Sequence, residues 1–206
     1  MSNVTYPNGN GTLISTAQTP LGLETIFQSV MAQMLGINPV ANPQTAWTAV
    51  RVAWQIQGQP AWAITDDVCI VRATADDAPF SRVRDNLWAE NDDVSVILDM
   101  QFTQVWTIHA TLYGPNCYDH ARQIISALSL DWVSGILEPL NLYLIPDWIR
   151  PSYVPELKDG QWWQRTDIEF KLNENALESM VIPTAAEQPV TLVPDVGSSE
   201  EFVIES

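Results

Sequence analysis

Residues 94–130, VSVILDMQFTQVWTIHATLYGPNCYDHARQIISALSL, decide the fold. Residues 94–113 are rich in β-branched and aromatic side chains, so they predict either one long twisted strand or two pieces broken around 100–104. Gly114 and Pro115 end this stretch. Asn116 then occupies an N-cap position before an apolar stripe of helical spacing, and a helix is predicted to follow it.

The surrounding elements are predicted from the same two periodicities. Residues 21–36 carry apolar side chains at helical spacing and predict an amphipathic helix. Shorter helical or extended pieces are predicted at 131–137, 140–146, 179–182 and 190–193, and full strands at 47–57, 62–72 and 162–172. Strands outnumber the helices interspersed among them. The predicted class is therefore α+β, with a mainly antiparallel sheet flanked by two or three α-helices.

Composition divides the chain into three parts. Residues 1–20 are rich in Asn, Gly, Thr and Pro and predict a flexible arm. Residues 21–193 are expected to form a single domain, in which the polar, acidic segment 73–93 is either a loop or an extended arm. Residues 194–206 are acidic and rich in small side chains, and they predict a loose tail.

The charge balance limits the function. The 206 residues include 9 Lys and Arg against 25 Asp and Glu, which gives a net charge of −16. Affinity for nucleic acid comes mainly from basic side chains that neutralise phosphates, so a protein that grips DNA is excluded. A wall past which DNA slides without sticking is compatible with this charge. Neither a membrane-spanning run nor a secretory signal is found, so a soluble protein made in the cytoplasm is expected.

Tryptophan and lysine are distributed unusually. The chain has nine tryptophans and two lysines, Lys158 and Lys171. Most of the indoles are expected in the core, where each buries a large apolar area. A few are expected at interfaces between subunits, where aromatic residues are enriched and lysine is depleted.

The strand–helix junction holds the strongest candidates for chemistry, His109, Cys117, Asp119 and His120. A nucleophilic cysteine needs a base within hydrogen-bond reach and a third group that orients the base, and strand alternation leaves the direction of His109 undetermined. Cys–x–x–His alone is half of a metal site. Cys69 and Cys117 are expected to be reduced, buried thiols. No catalytic residue, metal or cofactor is therefore predicted, and a cysteine-dependent enzyme remains a remote alternative.

A series of short motifs follows one another in a particular order. They are Arg51–x–x–Trp54-Gln55, Gly58–x–Pro60, Tyr113-Gly114-Pro115 before its helix, Val154-Pro155-Glu156, and Trp162–x–x–Arg165–x–Asp167. In this order, over roughly residues 21–190, the chain resembles the phage neck terminator family.

The resemblance implies a non-enzymatic structural protein of a tailed bacteriophage virion, assembled in the host cytoplasm. It implies a hexameric ring that joins a head-completion or adaptor protein to the tail tube or a tail protein. DNA passes through such a ring without specific binding, and no membrane or cofactor is involved. A tail-tube or baseplate component is the alternative. It would need an inner barrel and a long stacking loop, for which 73–93 is the candidate.

Two sets of residues are expected to act in such a ring. Contacts between subunits are expected at Arg51, Trp54, Trp162, Arg165 and Asp167. An intrachain ion pair or a solvated face is the competing interpretation of Arg165 and Asp167, and support of the fold is the competing interpretation of Arg51 and Trp54. The acids expected to line the passage and keep DNA from adhering are Asp66, Asp67, Asp76, Asp77, Asp92 and Asp93.

Overall fold

The structure, a computed structural model, describes residues 2–5, 12–53, 62–92, 95–158, 160–183, 190–192 and 200–202. Its helices are α1 (Pro20–Met34), α2 (Pro43–Ala49), α3 (Cys117–Leu128) and α4 (Asp131–Leu137), with 3-10 turns at Pro79–Arg82 and Glu138–Leu140. The strands are β1 (Ser2–Thr5), β2 (Thr12–Ser15), β3 (Val50–Val52), β4 (Val68–Ala75), β5 (Asp85–Asp92), β6 (Ser95–Tyr113), β7 (Leu142–Leu144), β8 (Ser152–Tyr153), β9 (Glu156–Lys158), β10 (Gln161–Trp163), β11 (Arg165–Pro183), β12 (Val190–Leu192) and β13 (Glu200–Phe202).

The chain divides into two compact units. The smaller comprises Met1–Thr16, Arg84–Gln101 and Leu177–Ser206, and the larger comprises Ala17–Val83 and Phe102–Ala176. The long strands β6 and β11 contribute residues to both. The division into an arm over 1–20, a single domain over 21–193 and a tail over 194–206 stays a prediction.

The sheet of the larger unit runs in the order β11-β6-β4-β3. Strand β4 pairs antiparallel with β6, from Val68 opposite Tyr113 to Ala75 opposite Trp106. Strand β3 pairs parallel with β4, while β7 and β8 pair antiparallel with β11. The predicted α+β class with a mainly antiparallel sheet is therefore confirmed. In the described part of the chain the sheet does not close into a barrel.

Strand alternation gives the sheet of the larger unit one apolar and one polar face. The apolar face carries buried side chains such as Val71, Ile108 and Phe170, and α1 packs on it. Phe27 of α1 meets Phe170 edge-on, with ring centroids 5.5 Å apart. Burial of such side chains is the main force that holds this unit together. The polar face carries side chains that include Arg72, His109, Thr111, Asp167 and Glu169.

The smaller unit is built from hairpins. Strand β1 pairs antiparallel with β2, and β2 pairs with the end of β11 at Glu178 and Ser179. Strand β5 pairs antiparallel with the start of β6, with a bulge between Glu90 and Asp92. The side chains at 85–91 are all exposed. Residues 85–92 lie in the segment for which the sequence left a loop and an extended arm open, and they form a paired strand.

Several predicted elements are confirmed. The helix predicted over 21–36 is α1, which Thr19 caps by accepting the N–H of Gly22. The long strand predicted over 94–113 is one strand over its described residues, β6 (Ser95–Tyr113), rather than two pieces. The helix after Asn116 is α3, but the side chain of Asn116 makes no capping bond, and its amide nitrogen donates to Asp67.

The strand predicted over 47–57 is wrong at its start. Residues Pro43–Ala49 form α2, with Pro43 pre-set for the first helical turn, and β3 covers only Val50–Val52. Residues 54–61 lie outside the described residues. Together with α4, this helix brings the described helices to four, where two or three were predicted. The strand predicted over 62–72 begins at Val68, because a turn closes between Ala63 and Asp66.

None of the helices in the described ranges is long and apolar enough to cross a membrane.

Candidate functional site

Three aromatic rings form a cluster at the end of β6. Trp62 lies 6.0 Å from Tyr113 and 6.4 Å from Trp163, and Tyr113 lies 6.4 Å from Trp163, measured between ring centroids. Two of the three contacts are nearly perpendicular, which is a favourable arrangement for aromatic rings. This tryptophan cluster (Trp62, Tyr113 and Trp163) ties the loop before β4 to the end of β6 and to β10.

Two cations lie against the tryptophan cluster. The guanidinium of Arg51 is 4.9 Å from the ring centre of Trp62, and the ammonium of Lys158 is 5.8 Å from the ring centres of both Trp62 and Trp163. Arg51 is 2% exposed, and its Nε donates to the carbonyl of Thr48 at 3.0 Å. Burial lowers the pKa of Arg51. A side chain so enclosed supports the fold, which is the competing interpretation given above. Trp54 lies outside the described residues.

Arg165 is the centre of a charged network beside the cluster. Its Nε and Nη2 each donate to Asp167 at 2.9 Å, and its Nη1 donates to Glu156 at 3.3 Å. The hydroxyl of Tyr113 also donates to Glu156, at 3.0 Å. The hydrogen bonds to Asp167 raise the pKa of Arg165, and burial and the bond to Glu156 raise the pKa of Tyr113. Arg165 and Asp167 thus form an intrachain pair.

A pocket of about 470 Å³ opens beside this network on the polar face. We call it the arginine pocket, and the titratable residues that line it are Arg72, His109, Arg150, Arg165, Asp167 and Glu169. Arg165 pairs with Asp167, and Nδ1 of His109 lies 3.2 Å from Glu169. Arg72 and Arg150 are exposed, and neither has a carboxylate of the described residues within 4.0 Å. In a chain of net charge −16, the pocket therefore holds unneutralised positive charge.

Several large apolar side chains that are close in sequence to residues of the pocket are exposed. Trp148 is 79% exposed and lies 5.7 Å from the guanidinium of Arg150. In the β9–β10 hairpin, Leu157 (57% exposed) lies directly opposite Trp162 (67% exposed). Opposed residues of a hairpin share one face, so Leu157 and Trp162 form a single apolar patch. Exposed aromatic side chains beside arginine are typical of protein–protein contact surfaces.

Two of the acids predicted to line a passage are part of the turn before β4. Asp66 accepts the N–H of Ala63 at 2.9 Å. Asp67 accepts the N–H of Asn116 at 3.0 Å and its side-chain amide at 2.9 Å. In these bonds both carboxylates accept from neutral donors, and Asp66 also interacts electrostatically with Arg51.

The other predicted acids differ among themselves. Asp76 pairs with Lys171 at 2.5 Å, and Asp77 with Arg82 at 2.7 Å, so the charges of these two carboxylates are balanced within the chain. Only the backbone of Asp92 is described, and Asp93 lies outside the described residues. The structure therefore describes the side chains of four of the six acids, and the lining of a passage by these acids stays a prediction.

Gly114 explains the Tyr113-Gly114-Pro115 motif. Its φ is +110°, a backbone conformation that side chains rarely adopt. A Cβ atom there would lie 2.5 Å from Oδ1 of Asp67 and 2.6 Å from the carbonyl oxygen of Asp66. Glycine is therefore required for the end of β6 to pack against the turn at Asp66 and Asp67.

Cys117, the candidate nucleophile, lies in a different environment from His109. Cys117 is 1% exposed in the apolar core, and the hydroxyl of Thr166 donates to its sulfur at 3.3 Å. His109 lies on the polar face, where its ring contacts Thr74 and Glu169 at 3.2 Å each. His120 is half-buried on α3. Within the described ranges, no three His, Cys, Asp or Glu side chains are grouped to hold a metal ion.

Both cysteines are expected to resist thiol reagents in the native protein. Each is about fully buried, and burial raises the pKa of Cys69 to about 12. With the reagent DTNB at pH 8, labelling should be at least ~100-fold slower than that of an exposed thiol, because it requires local opening. A Ser126→Cys variant supplies that exposed reference on the same helix as Cys117. Rapid labelling of Cys117 in the native protein would contradict this prediction and favour the alternative that the protein is a cysteine-dependent enzyme.

Sequence reasoning missed some residues of this surface. Arg72 and Arg150 had no motif around them, although basic residues are rare enough in this chain that each unpaired one is a candidate. Tyr113 and Glu156 were noted only as parts of motifs. Their contact could not be found from the sequence, because 43 positions separate them.

Comparison with known proteins places the chain in a family. None of the curated proteins compared gives a significant match. The family model described as phage neck terminator protein matches residues 22–196, which include the tryptophan cluster, the arginine pocket and Gly114. The match covers most of the 206 residues. It identifies a structural protein of the virion that associates with other head and tail proteins. The chain therefore belongs to the phage neck terminator protein family.

Proposed function

We propose that this chain is the subunit of a hexameric ring at the neck of the phage. The ring joins a head-completion or adaptor protein to the tail tube or a tail protein, and it encloses the passage for DNA without catalysing a reaction. The surface that supports this proposal best is the exposed apolar patch of Leu157 and Trp162, which is close in sequence to Trp148 and Arg150. A ring requires such a surface, because each subunit contacts its neighbour through two different patches.

Within the proposed contact, the predicted residues have separate roles. Trp162 is exposed enough to contact a neighbouring subunit directly. Arg165 and Asp167 bond to each other and hold the wall of the arginine pocket in place. Arg51 acts indirectly, since it supports Trp62 from a buried position.

The acids are proposed to act at the inner surface of the ring. Asp66 and Asp67 accept hydrogen bonds from neutral donors, and negative charge of this kind repels phosphates and lets DNA slide. Asp76, Asp77, Asp92 and Asp93 belong to the same proposal. A map of the assembled ring in which these carboxylates point away from the bore would contradict it.

The tail-tube alternative has less support. A tube subunit needs an inner barrel, whereas the sheet of the larger unit is open in the part of the chain that the structure describes. We therefore do not propose it.

Native mass spectrometry of the purified protein, followed by negative-stain imaging, tests the ring. The expected result is a discrete oligomer near the mass of a hexamer with a central hole. If the protein is monomeric alone, the measurement is repeated with the head-completion protein or the tube protein encoded beside it. A chain that stays monomeric with both partners contradicts the proposed function.

A further inference from the structure

The arginine pocket is lined by more arginine side chains than carboxylates. Arg72 and Arg150 line it without a carboxylate within 4.0 Å among the described residues, and both are exposed. Of the two acids of the pocket, Asp167 is bonded to Arg165, and Glu169 lies 3.2 Å from Nδ1 of His109. Charged hydrogen bonds from arginine to a carboxylate are among the strongest that a surface can form. The pocket is therefore suited to a carboxylate from outside the subunit.

Strand β5 is exposed on both of its faces. Leu87 is 59% exposed and Trp88 is 62% exposed, although neighbouring residues of a strand point to opposite sides. Among the described strands it pairs only with β6, so it is an edge strand in that part of the chain. Large apolar side chains exposed on both faces of an edge strand are typical of a surface that contacts another molecule. Strand β5 therefore has the properties of an element that another molecule covers.

The charges of the two elements are complementary. Residues 85–99 contain five acids and no base, namely Asp85, Glu90, Asp92, Asp93 and Asp99. The arginine pocket supplies two unpaired cations, and Trp148 and Trp162 supply exposed apolar area to match Leu87 and Trp88. Charge complementarity of this kind sets the partner and the register of a protein contact.

We propose that the arginine pocket binds strand β5 of a second copy of this chain. Glu90 of that copy meets Arg72 and Arg150, and Trp88, which shares a face of the strand with Glu90, packs against the exposed tryptophans. The contact is heterologous, because the pocket and the strand are different surfaces of the subunit, and repeated around an axis it closes a ring. The inference rests on the proposed function, to which it adds the surfaces that hold neighbouring subunits together.

DNA phosphates have a related chemistry but are a less suitable occupant. Non-specific affinity for DNA grows with the number of phosphates neutralised, and this pocket offers two unpaired arginines on a chain of net charge −16. The carboxylates of a second copy are subject to the same overall repulsion but bring apolar area as well.

Charge reversal tests the contact. The pocket variant is Arg72→Glu with Arg150→Glu, and the strand variant is Asp85→Lys with Glu90→Lys. Each alone is expected to weaken self-association by roughly 100-fold or more, because like charges then face each other across the contact. The matched controls are Arg82→Glu with Arg122→Glu, and Asp119→Lys with Asp131→Lys. They change the net charge equally at exposed positions elsewhere and should assemble like the wild type. Circular dichroism checks that every variant is folded.

Mixing the two variants gives the decisive result. In an equimolar mixture the reversed pocket of one variant faces the reversed strand of the other, and the unchanged surfaces face each other. Oligomers that alternate the two variants should therefore form, and native mass spectrometry resolves their composition.

The outcomes separate this inference from the proposed function. If the wild type forms rings and the charge-reversed variants form rings of the same stability, the inference is overturned and the proposed function is not. Variants that assemble normally but bind duplex DNA more weakly would also overturn it, in favour of phosphate as the occupant. A wild-type chain that forms no oligomer, alone or with its neighbours, would overturn the ring and the inference with it.

Discussion

Gly114→Ala is expected to lower the free energy of unfolding by about 3 kcal/mol, in a range of about 2–5 kcal/mol. The left-handed backbone costs a side chain roughly 1–2 kcal/mol, and overpacking against neighbours costs a further 1–3 kcal/mol. The closest neighbours include the carbonyl oxygen of Asp66 at 2.6 Å and Cα of Asp67 at 2.9 Å, which are backbone atoms that cannot rotate away. Chemical denaturation followed by tryptophan fluorescence measures the loss.

Gly135→Ala is the matched control for this prediction. Gly135 lies inside α4, and a Cβ atom there would have no neighbour within 4 Å in the described residues. Alanine is the better helix former, so this change should stabilise the protein by about 0.5–1 kcal/mol. Equal effects of the two substitutions would contradict the account of Gly114. So would a Gly114→Ala variant with a loss below about 1 kcal/mol.

The elements that could be predicted from the sequence bury one face along their whole length. Helix α1 was found because Leu23, Phe27 and Met31 repeat at helical spacing and all three pack in the core. The sequence of strand β5 shows no alternation of apolar and polar residues, because its side chains are exposed on both faces of the strand. A strand of this kind becomes visible only through its pairing with β6.

The candidate site was predictable only in its local parts. Arg165 and Asp167 are two positions apart on one strand, so alternation placed them on one face and made the observed ion pair one of the open interpretations. The contact of Tyr113 with Glu156 and the position of Arg51 under Trp62 depend on how distant segments pack. The arginine pocket joins residues of β4, β6 and β11 with Arg150, and no spacing along the chain brings these together.

Glu174→Ala is expected to be the most damaging change of an acidic residue among those the structure describes. Glu174 is 1% exposed, and its two carboxylate oxygens accept separate bonds, from Nε1 of Trp106 at 2.6 Å and from the backbone N–H of Gln18 at 2.5 Å. Alanine would leave both donors without this acceptor. At about 1–3 kcal/mol for each donor left unsatisfied, the expected loss in the free energy of unfolding is about 3–5 kcal/mol.

The position of Gln18 explains why the loss should extend beyond one bond. Gln18 directly precedes Thr19, the residue that caps α1, so Glu174 fixes the segment from which that helix starts. Since α1 packs on the apolar face of the sheet, loosening its first turn also weakens the core around Leu23 and Phe27. Hydrogen exchange should therefore show faster exchange in the first turn of α1 in the Glu174→Ala variant.

A double-mutant cycle with Trp106→Phe separates the bond from the general cost of substitution. Trp106→Phe removes one donor and leaves the bond from Gln18, so it should cost about 1.5–3 kcal/mol. The two substitutions together should cost at least ~1 kcal/mol less than the sum of the single changes, because they remove the same bond. Glu178→Ala, on the same strand with one longer bond of 3.4 Å from Ser15, should cost under about 1 kcal/mol. Strictly additive effects of Glu174→Ala and Trp106→Phe would show that the bond between them contributes nothing to stability.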